Sequence, residues 1–124
     1  MGRRHRFNVL VADGRGVLVR IDGVLDVAYE AVSEEIDDAV AEVVEADRDF
    51  VLIDLGEVTR LGTAGIAMLL RVREALGEIG VGFGVIAPLD APAAGELNRG
   101  GFTAAVGLVP TLTQAVVTLS TDTA

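Results

Sequence analysis

The sequence predicts an α/β fold, in which a mostly parallel sheet of four to five strands begins with an antiparallel hairpin and is flanked by about four helices. Two patterns lead to this prediction. Short runs rich in β-branched residues alternate with segments whose apolar residues recur at helical spacing, and 51% of the 124 residues are hydrophobic. Because a helix between two strands forms a crossover connection, the strands after the hairpin are expected to run parallel.

The first 47 residues predict the hairpin and the first helix. In residues 7–25, apolar and polar side chains alternate on both sides of a DGRG sequence at 13–16, which is typical of a tight turn. In residues 26–47, apolar residues recur at helical spacing among acidic ones. This pattern predicts an amphipathic helix with Asp26 as its N-cap.

The rest of the chain continues the alternation. Residues 49–55 form a β-branched run that predicts a buried central strand, followed by a short loop. Residues 63–79 carry apolar side chains on one face and charged ones on the other, which predicts a helix that ends at Gly80. The remaining expected elements are a strand at 81–87 closed by Pro88, a helix at about 91–99, a short strand near 105–109 and a last helix from about 110 to 120.

Composition excludes several classes of function. The net charge is −9, from 19 acidic and 10 basic residues, and this sign disfavours nucleic acids and anionic membrane surfaces as partners. The sequence has no Cys and no Lys, so it offers no thiolate nucleophile, no disulfide and no Walker A lysine. Its one His, His5, lies in the N-terminal tail, whereas a Ser-His-Asp triad needs a positioned imidazole. We therefore expect no catalytic residues, no cofactor and no metal site.

The chain is expected to be a single domain, residues 1–124, with a core at about 7–120, a short basic N-terminal tail and a frayed C-terminus. The basic start and the apolar stretch after it resemble the beginning of a signal peptide, but Asp13 cuts that stretch short. No apolar run approaches the ~18 residues that a transmembrane helix requires. These features predict a cytoplasmic protein without membrane insertion.

Gly80, Gly82 and Gly84 form a GxGxG pattern that superficially suggests a phosphate-binding loop. In a dinucleotide site such glycines leave a strand and open a helix. Here they precede a strand, so a turn followed by close packing is the favoured interpretation.

The most informative segment is the start of the helix at Thr63. Leu61-Gly62-Thr63-Ala64-Gly65 follows a buried strand and opens an amphipathic helix. Thr63 falls at or next to the N-cap, where its hydroxyl can accept a hydrogen bond from an N–H group of the first turn. The same N–H groups and the helix dipole would also hold a phosphate on that hydroxyl, and the small neighbours would let another protein's active site reach it. The local sequence leaves both interpretations open.

Four motifs give the chain a resemblance to a known family. They are Gly23-Val24-Leu25-Asp26, Ile53-Asp54-Leu55-Gly56-Glu57-Val58, Leu61-Gly62-Thr63-Ala64-Gly65-Ile66, and a closing pattern from Gly101-Phe102 through Pro110-Thr111 to Ala115-Val116. In this order and spacing they resemble the motifs of the STAS domain, as found in the anti-sigma factor antagonists of bacteria. The resemblance covers residues 7–120 and implies the STAS fold.

The resemblance also implies a partner-switching function. In that family the unphosphorylated antagonist binds an anti-sigma factor that is also a Ser/Thr kinase with a histidine-kinase-like ATPase fold, and this frees a sigma factor. The kinase then phosphorylates the antagonist, the complex dissociates, and a phosphatase, of which the PP2C type is the candidate, resets the cycle. By position, the resemblance implies Thr63 as the phosphoacceptor, with Asp26, Gly62, Ala64 and Gly65 as its neighbourhood.

Two positions depart from the family pattern: Gly62 stands where Asp is usual, and Ala64 stands where a second Ser is usual. The partner surface is expected to comprise the loop at 56–63, the helix start at 63–71 and the turn at 23–26. Its candidate contact residues are Gly23, Glu57, Thr59, Arg60, Met68 and Arg71.

Two other functions stay open. One is a STAS regulatory subunit that binds an ABC-transporter ATPase, or another partner protein, without a phosphorylation cycle. The other is a small α/β enzyme or nucleotide-binding protein, in which Asp26, Asp54 and Thr63 would line a pocket at the carboxyl ends of the strands. The lack of Lys and Cys counts against this second alternative, and Asp54 is instead interpreted as a strand-end residue that caps a loop.

Overall fold

The computed structural model describes residues 3–11, 16–25, 41 and 49–122. The strands are β1 Arg3–Val11, β2 Gly16–Leu25, β3 Phe50–Leu61, β4 Gly82–Ile86 and β5 Leu108–Val109. The helices are α1 Thr63–Glu78, α2 Pro92–Gly100, α3 Thr103–Val106 and α4 Leu112–Asp122. The turn expected at 13–16 and the helix expected at 26–47 lie largely outside the described residues, although Ala41 is described and is helical.

The described strands form one sheet in the order β1-β2-β3-β4-β5. β1 and β2 pair antiparallel, whereas β2 with β3, β3 with β4 and β4 with β5 pair parallel. The connection from β3 to β4 contains α1, and the connection from β4 to β5 contains α2 and α3. The α/β class, the opening hairpin and the parallel sheet expected from the sequence are therefore confirmed.

Both faces of the sheet are buried, because consecutive residues of β2 and β3 point into two different apolar clusters. Val19 and Ile53 lie in the larger cluster, which α1, α2 and α3 cover. Leu18 and Leu52 lie in the smaller cluster, which Ala115 of α4 joins. The sheet is thus the middle layer, and the β-branched runs of the sequence are its two-sided buried strands.

β3 is longer than the sequence predicts. It continues through the expected loop to Leu61, and its second half pairs with the second half of β2. Two register shifts interrupt this ladder, one of them next to Gly23, whose φ of 81° lies in the left-handed region that favours glycine. Val58 and Leu61 are each 1% exposed, so burial holds the extension on the sheet. The prediction of a loop after Leu55 was wrong because these irregularities break the two-residue alternation.

Two other boundaries differ from expectation. β1 begins at Arg3, inside the stretch expected to be a tail. The segment expected as a strand near 105–109 is instead the one-turn helix α3 followed by the two-residue strand β5. Gly101 and Gly107 flank α3 with φ values of 75° and 71°, so left-handed residues limit the helix on both sides.

Candidate functional site

The candidate site begins where β3 passes into α1. Leu61 ends the strand with its side chain buried, and Gly62 is the N-cap of α1 in extended backbone conformation, with φ −95° and ψ −179°. The first hydrogen bond of the helix runs from the Ile66 N–H to the Gly62 carbonyl over 3.0 Å. The N–H groups of the three residues between them have no acceptor within the helix, because every α-helix leaves its first N–H groups unpaired.

Thr63 is therefore the first helical residue and not the cap. Among the described residues, no side chain makes a cap hydrogen bond to α1. The Thr63 hydroxyl therefore does not cap the helix, and it is available to react with another molecule. Of the two interpretations that the sequence leaves open, capping has no support in this geometry.

The residues next to Thr63 in the chain are small and uncharged. Thr63 and Ala64 are exposed, Gly62 is half-buried and Gly65 is buried against the core. The first turn of α1 carries no acidic residue. A second protein can therefore approach the hydroxyl without displacing a bulky or like-charged side chain of this helix.

The end of β2 lies beside the end of β3. Gly23 pairs with Val58 and Leu25 with Leu61 in the parallel ladder, so the two segments are separated by one strand spacing of about 4.8 Å. Backbone pairing therefore brings the described part of the turn at 23–26, up to Leu25, next to the strand end that precedes Thr63, the expected phosphoacceptor. Asp26 lies outside the described residues.

The other candidate contact residues divide into surface and core positions. Glu57, Thr59 and Arg60 are exposed on the second half of β3, and Arg71 is exposed two helical turns after Thr63 on the same face of α1. Met68 is 1% exposed and belongs to the main apolar cluster. Its expected role as a direct partner contact was wrong, because its side chain supports this surface from below.

Asp54 has a structural role at the bend of β3. One of its carboxylate oxygens, Oδ1, accepts a hydrogen bond from the Gly56 N–H over 2.9 Å. The other, Oδ2, accepts from Nε of Arg20, the register partner on β2, over 3.3 Å. The expectation that Asp54 ends its strand was wrong, since β3 continues for seven more residues. At about 3.3 Å per strand residue, roughly 20 Å of strand separate Asp54 from the start of α1, so Asp54 and Thr63 do not line one pocket.

In the described part of the chain, no group of three His, Cys, Asp or Glu residues could hold a metal ion. The GxGxG segment has the expected structural role: Gly80 turns the chain with φ 75°, and Gly82 and Gly84 lie in β4. Among the described helices, none is long and apolar enough to cross a membrane.

Sequence reasoning missed one exposed apolar residue at the same edge of the sheet. Leu89 is 85% exposed in the connection from β4 to α2. The preceding Pro88 approaches Gly56 of β3 closely, because a Cβ built on that glycine would lie 3.6 Å from the proline Cδ. The only sequence signal for Leu89 was an apolar residue between a proline and an aspartate.

Comparison with known proteins gives the same fold and names a family. A curated relative, the anti-sigma-F factor antagonist RsfB of Mycobacterium tuberculosis, is 40% identical over 80 residues. That match spans 64% of this chain and 62% of the relative's length. Among solved structures, an anti-sigma factor antagonist from Mycobacterium paratuberculosis superposes with a TM-score of 0.71 at 24% identity, covering 97% of this chain and 95% of that one.

A sulfate transporter family protein from Wolinella succinogenes shares the fold as well, with a TM-score of 0.64 at 18% identity over 85% of this chain and 84% of that one. The family model described as the STAS domain matches residues 7–115. These residues contain β2, β3, α1 and the whole candidate site. The chain belongs to the STAS domain family.

Proposed function

We propose that this STAS domain is an anti-sigma factor antagonist of the cytoplasm, switched by reversible phosphorylation at Thr63. Its partner is an anti-sigma factor with Ser/Thr kinase activity and a histidine-kinase-like ATPase fold, and binding of the antagonist frees a sigma factor. The role is one of binding rather than catalysis. The observation that carries the proposal is the exposed Thr63 hydroxyl on the first residue of a 16-residue helix whose cap is Gly62.

The helix start suits a residue that alternates between hydroxyl and phosphate. A phosphate on Thr63 would bring a charge of about −1.5 to −2 at neutral pH. The unpaired N–H groups of the first turn and the positive end of the helix dipole stabilise such a charge in the free protein. The modification therefore need not unfold α1.

The same phosphate opposes binding. In an interface it would have to lose its hydration and face the partner's surface, which costs several kcal/mol when that surface is apolar or acidic. The exposed residues around Thr63 on β3 and α1, namely Glu57, Thr59, Arg60 and Arg71, then form the contact surface in the unphosphorylated state. Dissociation follows from the charge alone, without a change of fold.

The test is phosphate transfer to a defined residue. The full chain is incubated with ATP and each anti-sigma factor kinase of the source organism, and the modified peptide is identified by mass spectrometry. Thr63→Ala should abolish the modification, while Thr113→Ala, which removes an exposed hydroxyl on α4 outside the contact surface, should leave it intact. Phosphate on another residue, or equal labelling of the Thr63→Ala variant, would refute the proposal. A phosphatase of the PP2C type should remove the label.

The absence of an acidic residue at the start of α1 favours a second function. The first turn of α1 carries no acidic residue, and Gly62 occupies the position where the family usually has Asp. This departure favours a regulatory subunit that binds an ABC-transporter ATPase, or another protein, through the same surface without phosphorylation. An unmodified Thr63 together with capture of a transporter ATPase by the wild-type chain would establish that alternative.

A further inference from the structure

A cleft of about 460 Å³ lies at the β5 edge of the sheet, bounded by β4, β5 and the helices α1, α3 and α4. Its volume falls in the range of about 300–1,000 Å³ that is usual for small-molecule sites. The α1 residue that lines it, Arg73, lies ten residues from Thr63, or about 15 Å along the helix. The cleft is therefore separate from the candidate phosphorylation site.

The walls of the cleft combine an apolar surface with one cation. Phe83, Leu108 and Ala115 supply apolar wall from β4, β5 and α4, and the lining residues include no Asp or Glu. A ligand that enters is thus offered apolar contact over most of its surface. Polar recognition depends on Arg73 and on the hydroxyls of Thr103 and Thr118.

The Arg73 side chain is exposed and uses one of its donors within the described structure. Its Nη1 donates a hydrogen bond to the Ala105 carbonyl of α3, which ties α1 to α3 beside the cleft. No carboxylate pairs with Arg73 within the described part of the chain. A guanidinium has five N–H donors in a planar fork that matches a carboxylate, so the remaining donors of Arg73 are suited to an anion at the mouth of the cleft.

A buried hydroxyl in the same wall also lacks a partner. In the described residues, Oγ1 of Thr103 is buried and makes no hydrogen bond. Buried polar groups are normally hydrogen-bonded, and those that are not call for an explanation. A rotation of the Thr103 side chain toward the cleft would let a polar ligand atom satisfy the hydroxyl.

We propose that this cleft binds a small amphipathic monocarboxylate, with its apolar body against Phe83, Leu108 and Ala115 and its carboxylate on the Arg73 fork. A single guanidinium in a mostly apolar wall matches one negative charge, whereas a phosphate dianion would leave charge uncompensated. Once its side chain rotates toward the cleft, the Thr103 hydroxyl donates to the second carboxylate oxygen. This proposal does not depend on the anti-sigma function, because the cleft and Thr63 share no residue.

Octanoate is the probe, titrated into the ¹⁵N-labelled full chain and followed by NMR, with 1-octanol as the uncharged ligand of equal chain length. We expect saturable shifts confined to β4, β5, α3, α4 and the part of α1 around Arg73, and an octanoate affinity at least tenfold above that of octanol, since a charge-assisted hydrogen bond commonly contributes about that factor. Absent or non-saturating shifts, or equal affinities for the two probes, would overturn the proposal.

Four variants test where the ligand binds. Arg73→Gln keeps a donor for the Ala105 carbonyl but removes the charge, and should weaken octanoate binding roughly tenfold while octanol is unaffected. Arg71→Gln, a matched change on the same helix but outside the cleft, should leave octanoate affinity within about twofold. Arg73→Lys should restore part of the loss, and Thr118→Leu, which narrows the cleft, should weaken both probes. Equal loss in the Arg71 and Arg73 variants, both folded by circular dichroism, would show nonspecific charge attraction and refute the site.

Discussion

The proposed role of Thr63 depends on Gly62 being the N-cap of α1, and replacing Gly62 tests that assignment. Gly62 has extended backbone angles that any residue adopts, so Gly62→Asp introduces no backbone strain. An Asp at this position would accept hydrogen bonds from the first-turn N–H groups, which now have no side-chain cap in the described structure. The change also restores the residue that is usual in the family at this position.

Three small contributions add up to the expected gain in the free energy of unfolding. An N-cap Asp is better than Gly by a few tenths of a kcal/mol, and its charge at the helix N-terminus adds about 0.3–1 kcal/mol. Replacing Gly at a compatible position adds roughly 0.4–1 kcal/mol through the unfolded chain. Allowing for overlap between these terms, we expect Gly62→Asp to raise the free energy of unfolding by about 1 kcal/mol, or Tm by about 3–5 °C for a domain of this size.

Urea and thermal unfolding followed by circular dichroism measure the change. Gly62→Asn supplies the cap without the charge and should give a smaller gain, with the difference shrinking as salt is added. Gly62→Ala supplies neither cap nor charge and should give no gain or a loss. If Gly62→Asp destabilises the protein as much as Gly62→Ala does, Gly62 is not the N-cap, and the inference that the Thr63 hydroxyl is unused fails.

Three further experiments test the packing that supports the site. Leu69→Ala removes a fully buried side chain of α1 and should lower the free energy of unfolding by about 2–5 kcal/mol in urea titrations, whereas a loss below about 1 kcal/mol would contradict its core position. Gly16→Ala places a Cβ 2.5 Å from the Phe50 ring and should lower the free energy of unfolding by about 1–3 kcal/mol, whereas Gly77→Ala meets open space and should raise it by about 0.5–1 kcal/mol. Thermal unfolding measures both variants, and stability changes of the opposite sign would contradict these two predictions. A double-mutant cycle of Arg20→Gln and Asp54→Asn should give a coupling of about 0–1 kcal/mol, because the two side chains are 42% and 20% exposed; a coupling above about 2 kcal/mol would mean that the pair is more strongly desolvated.

In the described part of the chain, the spacing of apolar residues was sufficient to predict most of the helices and strands. The helix predicted at 63–79 is α1, and the runs predicted as buried strands lie in β3 and β4. These segments follow a single period of apolar residues because each packs against the core along its whole length. The two-sided burial of β3 also follows from its continuous apolar run.

The wrong predictions fall where contacts between distant segments, rather than the local sequence pattern, determine the structure. The extension of β3 past Leu55 depends on register shifts against β2, and no local signal in residues 56–60 reports a partner strand. The helix α3 has only four residues between two left-handed glycines, too few to show a period. Met68 was expected at the interface, but it lies three residues after Gly65 and four before Val72 on the buried face of α1, so helical periodicity already indicated its core position.

The candidate site was predictable in its position but not in its detail. The sequence motifs located Thr63 at the helix start, and the structure shows which residue is the cap. If Thr63 were the N-cap, its hydroxyl would bind an N–H group of the first turn, whereas as the first helical residue it does not. Distinguishing these two adjacent positions requires the backbone angles. The cleft at the β5 edge had no sequence signal at all, because its lining residues come from five separate elements.

The measurement that tests the central claim most directly compares two affinities. The anti-sigma factor kinase captured by the unmodified chain is titrated by calorimetry with the unphosphorylated protein and with protein phosphorylated at Thr63. A desolvation and repulsion cost of several kcal/mol predicts a loss of affinity of roughly 100-fold or more. Equal affinity for the two forms would contradict the phosphorylation switch and leave a constitutive binding protein in its place.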